Sequence, residues 1–479
     1  MEMNGGVRAR TATAFLAISA ADVTFQCLEF MLEALKENFS MTSNETVVLS
    51  QVSFGSCLLV VFLAGVLADR LGDRLVLMVS SGAFCIGATL FAIAPNDEAL
   101  IIGQAVCGIG TIAMTIIGLS VLNKNYSDTA QRAKAFGLFA VITPIVAVVS
   151  PLFASVMIAH LGWRSVTATW IILGLSVFFL AKNSLPKVDI RSEKIQRDNT
   201  QSERIELLTP TLAGIALAGI ALTFSFLEID IDRSAHSPAA LVSLIVGVMA
   251  LILLVGSLRR VSKPTLDIRS LRPRGALSLV TALFVVNGVN FFFYTFLMLQ
   301  YRYHQTLLET AVFLIAPNIT ATFGAIISGR LTVRWGSARV SLYSLLAASF
   351  FSLSALAVSA ESSAWWPVAV LSIVALPIGA GIGPVTQTFM ELSPEDGAAS
   401  ASAFRNSAVN LGGAIGGLLL GASIFNRIDI DTAQNIEAYR KQADAFHLAG
   451  YVCAVAYFIA AMLIVLYSKR RRLESVLAV

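Results

Sequence analysis

Charged side chains are scarce in this chain: Asp, Glu, Lys and Arg make up 13% of its 479 residues, against about 25% in soluble globular proteins. That scarcity excludes a water-soluble fold with an ordinary polar surface. The chain also has no His-Glu-x-x-His pair, no Walker loop and no Gly-x-Ser-x-Gly elbow, so zincin, P-loop and α/β-hydrolase chemistry lack their residues. Gly108-Ile109-Gly110 is no nucleotide fingerprint, because no βαβ unit surrounds it. The five cysteines (Cys27, Cys57, Cys85, Cys107, Cys453) lie in apolar runs without ligand-like spacing and read as core packing. No metal, cofactor or enzymatic activity is expected. The net charge of +4 says little by itself, and no nucleic-acid partner is expected.

What is abundant is hydrophobicity: 56% of the residues, with a mean hydropathy of +0.76. Crossing a bilayer takes about 20 apolar residues. Fourteen such segments can be read, at roughly 11–34, 46–67, 76–95, 98–122, 135–159, 165–183, 209–228, 238–257, 275–299, 307–328, 339–359, 365–389, 400–425 and 449–468. Turn signals such as Pro95-Asn96-Asp97 and His160-Leu161-Gly162 separate them. The first segment holds Asp22, Glu29 and Glu33, which argues against a cleavable signal peptide. With the N-terminus inside, 27 of the 34 lysines and arginines fall on inner segments, Arg405 counted among them, and 7 fall outside. This bias is the positive-inside pattern. It places both termini in the cytoplasm and the chain in the plasma (inner) membrane. The expectation is an all-α polytopic protein divided as 1–183 (six helices), 184–208 (inner linker), 209–257 (two further spans), 258–274 (inner basic segment) and 275–479 (six helices). The polar outer stretch Arg427 to His447 reads as a surface helix or hairpin.

Between the second and third segments, four charges crowd a glycine-containing turn, Gly65-Val66-Leu67-Ala68-Asp69-Arg70-Leu71-Gly72-Asp73-Arg74. Charge at mid-bilayer costs several kcal/mol or more, so the turn is an aqueous loop. Gly329-Arg330-Leu331-Thr332-Val333-Arg334-Trp335-Gly336 repeats Gly65, Leu67, Arg70 and Gly72 at an offset of 264 residues, with Val333 where the first copy has Asp69. Repeated halves are common in transporters. An offset of 264 fits six-span halves of about 30 residues per span with two extra spans between them.

Chemistry-bearing residues concentrate on the first segment. Asp22, Gln26, Glu29 and Glu33 follow steps of 4, 3 and 4 and share one helical face. At 1.5 Å per residue, Asp22 lies about 16 Å in from Thr11, near mid-bilayer. An intramembrane acid marks a functional site by default, which makes Asp22, with Glu29, the proton-coupling candidate; packing against a polar neighbour is the alternative. The ninth segment carries Asn287, Asn290 and Tyr294 at helical spacing, suited to line a polar cavity or to bond a neighbouring helix. Gln104, Gln387, Asn406 and Asn410 are weaker cavity candidates. Asp69 is placed to bond a helix N-terminus or a basic loop and latch the inner side shut.

Gly65-x-Leu67-Ala68-Asp69-Arg70-x-Gly72-x-Arg74 resembles the loop signature between helices 2 and 3 of the major facilitator superfamily. Ala21-Asp22-Val23-Thr24, Leu161-Gly162-Trp163-Arg164, Pro264-Thr265-Leu266-Asp267-Ile268-Arg269 and Asn410-Leu411-Gly412-Gly413 resemble motifs of its fourteen-span drug:proton antiporter branch. Two patterns depart from that branch. Gln104 and Cys107 stand where its span 4 signature has Arg and Gln, and Ser150-Pro151-Leu152-Phe153-Ala154-Ser155 stands where span 5 has Gly-Pro-x-x-Gly-Gly. The resemblance implies a monomeric, proton-coupled exporter of a small cationic or amphipathic compound, working by a rocker-switch cycle. Its partners would be the substrate, protons and the lipid bilayer, with Gly65, Asp69, Arg70, Gly72, Arg74, Gly329, Arg334 and Gly336 forming an inner gate motif. The alternatives are an uptake carrier or facilitator for a small polar metabolite and, more remotely, a membrane sensor or intramembrane enzyme.

Overall fold

Without water to satisfy them, backbone amides and carbonyls in a membrane must bond within their own segment or a closed barrel. The computed structural model describes residues 5–41, 43–126, 128–186, 207–229, 238–260, 271, 273, 275–289, 291–393, 397–425 and 436–477, and among them there is no strand. The helices are α1 (Gly5–Phe39), α2 (Ser43–Leu71), α3 (Asp73–Ala92), α4 (Asp97–Asn125), α5 (Thr129–Leu161), α6 (Trp163–Ser184), α7 (Leu208–Ile229) and α8 (Pro238–Arg260). They continue with α9 (Ala276–Gly288), α10 (Phe291–Leu297), α11 (Leu307–Phe313), α12 (Ile315–Trp335), α13 (Ser337–Ser352), α14 (Trp365–Met390), α15 (Ala398–Phe425) and α16 (Ile436–Leu477). Among the described residues, eleven helical stretches are long and apolar enough to cross a membrane, and Leu208–Thr223 and Ala276–Gly288 are shorter apolar helices.

Local chemistry sets the helix ends. Gly72 (φ 89°) breaks α2 from α3, and Gly336 (φ 83°) breaks α12 from α13. With ψ near 150° at both, this is a conformation open essentially to glycine alone. The two sequence motifs therefore end in the same turn. The Asn96 side chain accepts from the Ala99 amide to start α4, and Asp128 accepts from Gln131 to start α5.

Helices α1 to α6 pack as one set, with α4 against α1, α2 and α3. Helices α9 to α16 pack as a second. The sets meet along α2 on α15 and α5 on α12, with α4 and α5 also reaching α15 and α14. The extra pair α7–α8 lies outside this core. Helix α7 packs on α2 and α15 while α8 packs on α7. Helix α8 presents Leu241, Ile245, Met249 and Ile252 outward, an apolar face suited to lipid.

Two local expectations need correcting. The ninth segment is not one continuous helix: α9 stops at Gly288, Val289 is extended (φ −117°, ψ 109°), and α10 runs into a π-helical turn, Met298–Arg302. Close packing coincides with the break, since the Gly288 carbonyl lies where a Cβ on Gly416 of α15 would stand. Discontinuous helices are tolerated at membrane depth where protein or a cavity covers them. At the other end, residues 436–447 form no separate surface helix or hairpin; they are the first turns of α16. The linker 187–206, the basic segment 261–270 and residues 426–435 lie outside the described residues.

A Gly416→Ala substitution would drive its methyl into the Gly288 carbonyl, whereas Gly82→Ala on α3 meets nothing within 4 Å. Overpacking costs about 1–3 kcal/mol. Thermal unfolding of the detergent-solubilised protein should show a lowered Tm for Gly416→Ala and an unchanged or raised one for Gly82→Ala.

Candidate functional site

The end of the bundle where α1 begins is basic and closed. The Asp69 carboxylate, at the end of α2, accepts from the Ala399 amide at 3.0 Å and the Ser400 amide at 2.8 Å. These are the first free N–H groups of α15, where helix polarity favours an anion. Lys124 of α4 sits 3.0 Å from Asp73 and 3.9 Å from Asp69. One turn before Asp69, buried Gly65 lies against Ala399, Ser400 and Ala403, so that even a methyl there would touch backbone. The Phe62 and Phe404 rings meet edge-on at 5.1 Å across the same seam. On α4, the Asn123 side-chain amide donates to Met390 O and Ser393 Oγ beyond the end of α14. All of these hydrogen bonds between the two helix sets lie at the basic end.

The second motif copy repeats half of this arrangement. Gly329 of α12 faces Gly137 of α5 across the other seam, and Gly336 makes the turn. Arg334 is exposed, as is Arg70, and Arg74 is partly so. The acid-to-helix contact belongs to the first copy, since Val333 has no carboxylate.

Midway along α1, with 17 residues on either side, Asp22 accepts a 2.8 Å hydrogen bond from the Thr143 hydroxyl of α5. Asp22 is partly exposed and Thr143 is exposed, so this face borders open space between the helices. Gln26, one turn along, is also partly exposed. Across from them comes a residue the sequence reading missed: Arg405 of α15, 8% exposed. Its Nη1 donates to Asn406 Oδ1 at 3.0 Å, its guanidinium lies 5.5 Å from the centre of the Phe139 ring of α5, and its buried Nε has no acceptor among the described residues. Asp22 and Arg405 make no ion-pair contact, but both lie against α5, Asp22 at Thr143 and Arg405 at Phe139 one turn earlier. Arg405 had been counted with the inner loop residues, yet it is inside the helix bundle. The signal was a basic residue two turns into an apolar segment.

The other candidates are more dispersed. Gln104 is fully buried, with neither amide atom partnered among the described residues. Gln387 donates to Glu391 on its own helix side, and Asn406 donates back to Ser402. Asn287 donates to Leu283 O one turn earlier, and Asn410 is partly exposed. The break after Gly288 interrupts the helical register between Asn287 and Tyr294, and Tyr294 is buried beside Tyr457 of α16. Asn290 and the Glu29 side chain lie outside the described residues. A separate cavity of about 290 Å³ opens between Leu217 of α7, Val280 and Phe284 of α9, and Phe404, Ser407 and Leu411 of α15. Its walls are almost wholly apolar.

Residues 14–417 match the family model described as Major Facilitator Superfamily. The chain belongs to this superfamily. The transporter is 25% identical over 380 residues to the methylenomycin A resistance protein of Bacillus subtilis (strain 168), covering 78% of this chain and 77% of that one. It is 26% identical over 438 residues to the puromycin resistance protein pur8 of Streptomyces alboniger, covering 89% and 82%. Its fold matches the crystal structure of the human organic anion transporter MFSD10 (TETRAN) with a TM-score of 0.64, at 12% identity, over 96% of this chain and 100% of that one.

Hydrogen bonds to a charged partner are each worth about 1.5–3 kcal/mol, and 1.4 kcal/mol is a factor of ten. Removing both with Asp69→Ala should therefore loosen the seam by tenfold or more. The check is the rate at which a thiol reagent modifies a cysteine placed at the fully buried Ala403, which should rise by at least that factor.

Proposed function

We propose that this superfamily transporter is a proton-coupled exporter of a small cationic or amphipathic organic compound, with Asp22 as its proton carrier. The observation that carries the reading is the setting of Asp22. It is a carboxylate at the midpoint of α1, bonded among the described residues to one hydroxyl and bordering open space. A carboxylate so lightly held exchanges protons and cations readily, and one group serving both in turn is the simplest basis for antiport. Two similar chains bear resistance names, for methylenomycin A and puromycin, which favours export of a foreign or self-made compound.

In this reading the chain makes fourteen crossings, with both termini cytoplasmic in the plasma (inner) membrane, and works as a monomer. Residues 1–183 and 275–479 form the two rocking bundles, 209–257 adds two peripheral spans, and 184–208 and 258–274 are inner connections. The closed basic end is then the cytoplasmic gate. Its latch is Asp69 on the α15 N-terminus, and Gly65, Gly72, Gly329 and Gly336 permit the close seams and tight turns. Gln26 and Asn287 are cavity residues, and Glu29 is an auxiliary acid on the face of Asp22.

The test is Asp22→Asn, which keeps shape and removes the titration. Reconstituted in proteoliposomes, the parent should move protons when substrate is added, and the variant should insert normally but lose both substrate flux and proton movement. Undiminished flux in Asp22→Asn would sink the assignment.

A further inference from the structure

A buried arginine inside a membrane bundle needs a compensating anion or it strongly destabilises the fold, and Arg405 is 8% exposed. Arg405 has the Asn406 carbonyl oxygen and the Phe139 ring as neutral partners, and its Nε has no described acceptor. Neither neutral group cancels a full charge. The charged groups on α2, α4, α5 and α6, which pack against α1, lie toward the helix ends: Asp69, Arg70, Lys124, Arg132, Lys134 and Lys182 at the basic end, and Glu45, Asp97, Glu98, His160 and Arg164 at the other. The buried thiols Cys57 and Cys107 are neutral neighbours on α2 and α4. Asp22 bonds Thr143 and Arg405 lies over Phe139 one turn earlier on α5, so the two charges meet the same face of that helix; Glu29, two turns along α1, is the other acid of the Asp22 face by register.

The same helix bears the latch. Ala399 and Ser400, which bind Asp69, precede Arg405 by six and five residues, about 8–9 Å along the α15 axis. A helix this short between two contacts moves as a unit. Withdrawing α15 from α2 breaks the Asp69 bonds and takes Arg405 away from Asp22 and Phe139 in one motion.

We propose that Arg405 is the coupling residue of the transporter: a countercharge on α15 that favours ionised Asp22 only while the basic end is closed. This rests on Asp22 being the proton carrier, and adds the group that links its charge to the gate. The sign follows from linkage. Ionised Asp22 attracts Arg405 and holds α15 in; a proton on Asp22 cancels that attraction, so proton binding and opening of the basic end favour each other.

The experiment places spin labels on cysteines at exposed Lys134 and Arg339, one on each helix set at the basic end, with the five native cysteines replaced by alanine. Distances are measured in lipid nanodiscs at pH 8 and pH 5.5. The parent should shift toward longer distances at pH 5.5. Arg405→Gln should lose that shift and Arg405→Lys should keep it. Asp69→Asn should lengthen distances at both pH values while keeping the shift. The proposal is overturned if Arg405→Gln responds to pH as the parent does, or if Asp69→Asn alone abolishes the response. If Asp22→Asn keeps the parent's shift, the proton-carrier reading itself fails, whatever Arg405 does. Should Arg405→Gln not fold, the Tm values of Asp22→Asn, Arg405→Lys and the double Asp22→Asn/Arg405→Gln decide. Removing both charges should stabilise the protein relative to Asp22→Asn alone, and a further loss of Tm in the double variant would refute the pairing.

Discussion

Docking of α15 on α2 is the contact on which the arrangement depends. A membrane gives two helix bundles little hydrophobic reason to adhere, since lipid tails are as apolar as leucine. Adhesion has to come from close backbone approach and from polar bonds, and this seam has both within two turns. Gly65 lets the helices approach until Ala399 and Ala403 are in contact, and that approach brings the Asp69 carboxylate onto the Ala399 and Ser400 amides. Two groups that would each be costly alone, an anion at a membrane edge and an uncapped helix start, neutralise each other. The bond is directional, so it fixes the rotation of α15 about its axis, and with it the direction in which Arg405 points.

The opposite seam, α5 on α12, is built from the same small-residue approach but without the acid. Gly137 faces Gly329, and Ala140 and Val141 face Ala325. One seam thus carries a directional polar bond, and the other is a close small-residue contact with no carboxylate at the position of Asp69. This asymmetry is legible in the two motif copies, because Asp69 has become Val333. The proposed rocking cycle would use both kinds of contact: two latched seams would resist opening, and two smooth ones would hold no state.

How far the residues alone foretold this follows from what each one has to do. Gly72 and Gly336 were recognisable because a tight turn between two spans demands a backbone conformation that other residues avoid, and Asp22 because an acid within a span has few bland explanations. The break after Gly288 left no such mark, since Val285-Val286-Asn287-Gly288-Val289 reads equally well as continuous helix. It follows from how closely α9 meets Gly412 and Gly416, 124 residues and more away in sequence. Tyr294 was misplaced for the same reason. Arg405 was hidden by its position near a helix start, where an inner-loop arginine and an intramembrane one look alike.

Gln104 bears on why the countercharge stands where it does. A cation on α4 would sit in the same helix set as Asp22 and stay beside it through any rigid-body movement, because α1 and α4 pack together. Its influence on Asp22 would then be nearly constant. Under the proposed coupling, a cation on α15 would change its distance from Asp22 whenever the sets moved, so the proton affinity of the acid would depend on whether the basic end is closed. A charge placed on α15 rather than on α4 would therefore be a variable bias and not a fixed one. The amide of Gln104, sealed in the α1–α6 set and without a partner among the described residues, would have no comparable leverage.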